Sequence, residues 1–167
     1  MKLAFIDFLD KDDKLLAGIL ITDSNTKPIE FRTTTDINID ELQKILYGEA
    51  LKEIFLKERF AVDLAKSTKE KFDILLTREK NILGIRKEVD APVGYLHKYD
   101  PFKALDKYSH KIVNITDRYE PLVLTISKED KKDLIIFSKK LQEIYKMFNL
   151  MEPFNRVKKA LEYISSS

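Results

Sequence analysis

Asp7 interrupts an otherwise apolar run from Leu3 to Leu9, and Asp10, Asp23 and Asp73 stand near the ends of β-rich stretches. Carboxylates that converge from strand ends can hold two Mg²⁺ ions about 4 Å apart, the arrangement that supports in-line displacement at phosphorus. A second set lies in "PIEFRTTT", where Glu30, Arg32 and Thr34 share one face of a strand because side chains alternate. Thr35, Tyr47 and Gly48 fall close by at the helix that follows. An arginine fork beside threonine hydroxyls suits a carboxylate, a phosphate or a protein strand. The structural alternative is a solvated strand face with a cross-strand ion pair worth a fraction of a kcal/mol, roughly.

Other chemistries lack their residues. With no cysteine in the chain, disulfides, thiolate catalysis and cysteine-ligated metals are excluded. His97 and His110 are the two histidines, and no HExxH or comparable spacing builds a zinc site around them. GxSxG is absent, so no nucleophile elbow supports a serine triad. The four glycines, Gly18, Gly48, Gly84 and Gly94, form neither GxGxxG nor a P-loop.

The elements that must position these residues are legible. Lys2 to Leu9 reads as a central strand, "DKDDK" as a polar turn, and Leu15 to Thr22 as a second strand. "DSNTKP" is a hairpin loop by composition, leading into the strand of Glu30 and Arg32. The three make an antiparallel meander. Periodicity then changes. Asn38 with Glu41, or Asp40 with Gln43, can cap a helix whose apolar face is Leu42, Ile45, Leu46, Ala50 and Ile54, interrupted at Gly48 and continuing to about Ala65. "FDILLT", a short helical "NILGI" and "APVGYLH" follow, then an irregular aromatic segment, Asp100 to Ser109. "KIVNIT" and "PLVLTIS" form a weaker strand pair. Leu134, Phe137, Leu141, Ile144, Tyr145 and Phe148 mark one helix, with Ser127 as a candidate cap, and Met151 to Ile164 a last one with Pro153 in its first turn. The expected fold is α/β (α+β): one domain over 1–167 with a meander, a central helix, further mixed strands and two helices in a carboxy-terminal subregion, 128–167.

Charge and composition narrow the function. Thirty basic against 28 acidic residues leave a net charge of +2, small for a protein whose main work is gripping phosphate backbones. The amino terminus lacks the apolar length and cleavage site of a signal peptide, and no run of about 18 apolar residues exists to span a bilayer. The expectation is a cytoplasmic protein without membrane partners. Abundant lysine and glutamate without cysteine or tryptophan suggest a thermophile source.

"GILITDSNTKPIEFRTTT", "LQKILYGEAL", "ILLTREKNILGIRKEVDAPVGYL" and "LMEPFNRVKKALEYI" together resemble an uncharacterised bacterial family of thermophiles and planctomycete-like bacteria. Its members share a PxEFRxT strand, an LQxxLYGxAL helix and a terminal EPFxRI segment. Asp36 replaces a common proline, and Met151 interrupts the usual leucine pair. The resemblance implies no activity.

The main expectation is therefore a protein-interaction or ligand-binding module without classical catalytic machinery or cofactor. It would use Glu30, Arg32, Thr34, Tyr47 and Gly48 toward a protein partner or a second copy of the chain, with nucleic acid less favoured. The alternative is a metal-dependent nuclease or other nucleic-acid enzyme. Three strands, a helix and a fourth strand are the order of an RNase-H-like core, with Asp7, Asp10 and Asp73 as Mg²⁺ ligands.

Overall fold

The structure, a computed structural model, describes residues 1–34, 37–38 and 40–166. Thr35 and Asp36, to which the sequence reading gave a place between the third strand and the helix, lie outside the described residues, as does the side chain of Asn38. Strands β1 (Leu3–Lys11) and β2 (Lys14–Thr22) form a hairpin closed by Asp12 and Asp13. Both of these aspartates have φ near +55°, at 53° and 59°, as a two-residue turn between right-twisted strands requires. β3 (Pro28–Thr33) pairs with β2 and forms the outer strand of the meander. The loop before it is held by Asp23, whose carboxylate accepts the backbone N–H groups of Asn25 and Lys27.

Beyond β4 (Ile37–Asn38), Asp40 caps α1 (Glu41–Tyr47) by accepting the Leu42 N–H. The helix ends at Gly48, whose φ of 64° is cheap for glycine and costly for other residues. A π-helical stretch (Leu51–Leu56) then runs into α2 (Lys57–Ser67). The apolar stripe expected of this helix is divided: Leu42, Ile45 and Leu46 of α1 are exposed, whereas Phe60, Ala61 and Leu64 of α2 enter the core.

β5 (Ile74–Thr77) lies parallel to β1, β6 (Val93–Lys98) parallel to β5, and β8 (Leu122–Ile126) and β7 (Ser109–Ile112) complete the sheet antiparallel. The order is β3-β2-β1-β5-β6-β8-β7, with β4 added to β2. Alternation along β1 divides the core. Ala4, Ile6 and Phe8 face α2 and the 3₁₀ segment Lys80–Glu88, while Leu3 and Phe5 face α3 (Leu134–Tyr145) and α4 (Glu152–Ser166). Phe5 and Phe154 meet edge to face with centroids 5.2 Å apart. The expected α/β architecture is present, and the two carboxy-terminal helices pack on the sheet. Among the described residues no helix is long and apolar enough to cross a membrane.

Candidate functional site

Asp7 sits within β1 on the face covered by α4, and its neighbour across the hairpin is Gly18. A Cβ at Gly18 would stand 3.0 Å from Val157 Cγ1 and 3.3 Å from Leu161 Cδ2, so the glycine lets α4 lie close to this part of the sheet. β5 ends one strand away, and the next residue, Arg78, turns its guanidinium onto Asp7. Nη2 donates to Oδ2 at 2.6 Å and Nε to Oδ1 at 3.3 Å. Nη1 donates to Asn155 Oδ1, from the first turn of α4, at 3.1 Å. The guanidinium also stands 5.6 Å from the centroid of the Phe154 ring. The Asp7 side chain is 4% exposed. A carboxylate buried to that degree needs a paired cation and hydrogen bonds, and Arg78 supplies both.

A cleft of about 360 Å³ opens beside this pair, lined by Asp7, Asp10, Lys57, Arg78, Glu79 and Lys158. Lys57 is buried, donates to Glu79 at 2.6 Å and Glu53 at 3.3 Å, and lies over the Phe8 ring. Burial works to lower the Lys57 ammonium pKa, but bonding and attraction from Glu79 and Glu53 outweigh it, so the group is held above its ordinary value. Lys158, partly exposed, has no ion-pair partner among the described residues.

Of the three carboxylates of the alternative reading, Asp7 and Asp10 line this cleft and Asp73 does not. The Asp73 N–H donates to Lys2 O and its carboxylate accepts the Lys2 N–H. Asp7 is five residue steps along the strand from Lys2, a distance of about 16 Å at the usual rise. Asp10 is an odd number of residues from Asp7, hence on the other face of β1, and takes Lys52 at 2.9 Å. Among the described residues no three His, Asp or Glu side chains are grouped to hold a metal ion. At the cleft Asp7 is engaged by Arg78, Asp10 by Lys52 and Glu79 Oε1 by Lys57, while Glu79 Oε2 is buried without a hydrogen-bond partner; with Asp73 at the far end of the strand, the set Asp7, Asp10 and Asp73 does not fit the Mg²⁺ pair of that reading.

The other predicted set also divides. Glu30 and Arg32 do meet, with Nε donating to Oε2 at 2.6 Å, but the same carboxylate accepts the N–H groups of Lys69 and Glu70 after α2. The bond from Arg32 is the largest cause, with those N–H groups assisting, of a Glu30 pKa lowered to about 2. Thr34 Oγ1 accepts the Ala17 N–H at 2.8 Å. Tyr47 packs instead against Phe55, with ring centroids 5.6 Å apart, and Gly48 is the helix cap described above. Sequence reasoning missed Arg78, Lys57 and Asn155. The signal for Arg78 was present: an aspartate inside an apolar strand needs a cation, and "LLTR" places one at the end of another apolar strand.

No protein-family model and no curated protein sequence matches the chain. Solved structures do. Endonuclease V from Streptomyces avermitilis is similar over 99% of this chain and 83% of its own, with a TM-score of 0.59 and 11% identity. The chain shares its fold. A protein of unknown function from Archaeoglobus fulgidus is similar over 98% of this chain and 97% of its own, with a TM-score of 0.56 and 14% identity. Argonaute from Marinitoga piezophila, in complex with 5′ OH guide RNA and target DNA, is similar over 95% of this chain but 29% of its own, at 0.51 and 13%.

This shared architecture corrects three expectations. The main reading, an interaction module without catalytic machinery, does not stand, because the fold is one found in an endonuclease. "Protein interaction" falls with it as a description of the function. The ranking of nucleic acid behind a protein partner, made from a net charge of +2, does not stand either, because this fold is found in an Argonaute solved with guide RNA and target DNA. Net charge sums the whole chain and does not describe its distribution: Lys57, Arg78 and Lys158 line one cleft together with Asp7, Asp10 and Glu79.

Proposed function

We propose that the protein acts on nucleic acid, and that the cleft beside Asp7 receives a backbone phosphate through Arg78 and Lys158. The observation that supports this reading is the convergence of β1, the end of β5 and the start of α4 on one guanidinium, within a fold shared almost end to end with an endonuclease. Asp7 fixes the plane of Arg78, and Asn155 holds a second edge of it. Arg78 lines the cleft that Lys158 also lines. A planar, pre-oriented fork beside a mobile ammonium suits a phosphodiester oxygen pair. Since the donor set does not fit a divalent pair, no hydrolytic step is routed through metal; the chain's own residues bind and orient phosphate and offset its charge. The cytoplasmic setting expected from the sequence belongs to the same proposal.

Binding of single- and double-stranded DNA and RNA of defined length, measured against salt, tests the reading. Lys158→Ala is expected to weaken all of them by a similar factor and to lower the salt slope by about one. Arg78→Lys, which keeps charge but loses the fork, is expected to weaken binding while EDTA leaves it unchanged. Affinity and salt slope unaltered in both variants would overturn the proposal.

A further inference from the structure

The half of the sheet beyond β5 carries a second set of groups that the Asp7 cleft does not use. On the face that α2 covers farther in, Tyr95 and His97 of β6 share a side with Val123 and Thr125 of β8 and Ser109 of β7. Tyr95, His97, Thr125 and Ser109 are half-buried, and among the described residues the helical element packed on β6 is the 3₁₀ segment Lys80–Glu88. These side chains floor a depression of about 530 Å³, with Lys80 on one rim and the loop of Lys103 and Asp106 on another. That volume is within the range of small-ligand sites. The Tyr95 and His97 rings are stacked, with centroids 4.5 Å apart and planes 17° from parallel. His97 Nε2 lies 3.3 Å from Thr125 Oγ1, which is 2.7 Å from Ser109 Oγ, so the imidazole is fixed in orientation from beneath. Burial, with Lys80 and Lys103 nearby, holds His97 below its ordinary value, which keeps the ring neutral and suited to stacking.

The charges around the depression are unequally engaged. Asp100 and Asp106 each accept a backbone N–H two residues on, from Phe102 and Tyr108, and so serve the turns of their loop. Lys98 pairs with Glu120. Lys80 and Lys103 have no ion-pair partner among the described residues. Farther out, Phe102 is 96% exposed, and Lys111 stands over the Tyr99 ring, 4.0 Å from its centroid. Fixed rings in a floor, free ammonium groups at the rim and further aromatics beside them match the chemistry of an unpaired strand, which offers base faces and phosphates at nucleotide spacing. A duplex keeps those faces stacked inside.

We propose that the Tyr95 face of β6, β8 and β7 is a stacking platform for single-stranded nucleic acid, with bases on the Tyr95–His97 stack and phosphates at Lys80 and Lys103. It rests on the nucleic-acid reading above but on none of the residues of the Asp7 cleft.

The test compares fluorescein-labelled twelve-residue oligothymidylate with an abasic strand of equal length and charge, by anisotropy at low salt. The unaltered protein is expected to prefer the base-bearing strand about tenfold or more. Tyr95→Ala combined with His97→Ala is expected to abolish that preference while leaving binding of the abasic strand unchanged, and Tyr95→Phe to retain it; circular dichroism melting checks that each variant folds. Equal binding of the two strands by the unaltered protein, or a preference that survives the double alanine variant, overturns the platform. Lys158→Ala separates the two proposals: it is expected to weaken both strands alike, and if it has no effect while the double variant does, the cleft fails and the platform stands. Failure of the unaltered protein to bind either strand overturns both.

Discussion

The two halves of the sheet solve the problem of polar groups in opposite ways. In the inner half, Asp7 is enclosed between β1 and α4 and takes a guanidinium at 2.6 Å, with Asn155 completing the set. In the outer half, the polar and aromatic groups of Tyr95, His97, Thr125 and Ser109 line a depression, and two of the cations lining it, Lys80 and Lys103, have no ion-pair partner among the described residues. A buried charge must be satisfied by the protein itself, because desolvation leaves no water to do so. A surface hydroxyl or imidazole has no such requirement, and it is available to a ligand. The difference separates a charge that the fold must satisfy, Asp7, from groups that the fold displays, and Arg78, 26% exposed, stands between the two.

The sharpest way to break that contrast is to remove one cation from each half. Arg78→Ala strands the Asp7 carboxylate and is expected to cost about 3–5 kcal/mol, read as a lowered urea midpoint. Lys103→Ala is expected to stay within about 0.5 kcal/mol. Equal, small losses would show that Asp7 is not charged and enclosed as described.

Next in size is Gly94, where β6 joins the halves. A Cβ there would meet Leu124 Cδ1 at 2.7 Å and Ile74 Cδ1 and Leu76 Cδ2 at 3.1 Å each. Gly94→Ala is expected to cost about 1–3 kcal/mol through overpacking, with the melting temperature as readout. An unchanged temperature would mean that the α3 side of the outer half is looser than its packing indicates.

The smallest effects lie in pH dependence, and the two regions should differ in window. Glu30 is depressed to about 2 from an ordinary 4.5. Its contribution is therefore complete above about 4.5 and lost as pH falls toward 2, and Glu30→Gln should flatten stability across that interval. His97 is also held below its ordinary 6.5. The unfolded chain takes up that proton first, so stability declines as pH drops below 6.5, and His97→Gln should remove this shallower slope. Urea midpoints collected from pH 8 to pH 3 check both; a slope near 6.5 that survives His97→Gln would place it elsewhere.

Much of the architecture was legible because period and turn chemistry are local. "DKDDK" supplied two aspartates for a turn of positive φ, Asp40 capped a helix, Gly48 ended it, and the stripe from Leu134 to Tyr145 found the sheet. The candidate sites were far less legible. The strand face of Glu30, Arg32 and Thr34 was read as a binding face, with a cross-strand ion pair as the alternative; Glu30 and Arg32 instead pair within β3, and the hydrogen bonds of this face serve the chain after α2 and the β2 backbone. Asp7 was recognised as out of place in its strand, but alternation along one strand cannot say what the end of another brings to it.

The sequence by itself determined the element order, the antiparallel start and the absence of thiol chemistry, since each depends on neighbouring residues or on composition. Only the tertiary structure decided that Asp7 meets Arg78, 71 residues away, that Asp73 lies far along β1 from it, and that Tyr95 and His97 are left half-buried at a depression. Those outcomes depend on which strands become neighbours and how much of a face is covered, and short apolar strands carry almost no information about either.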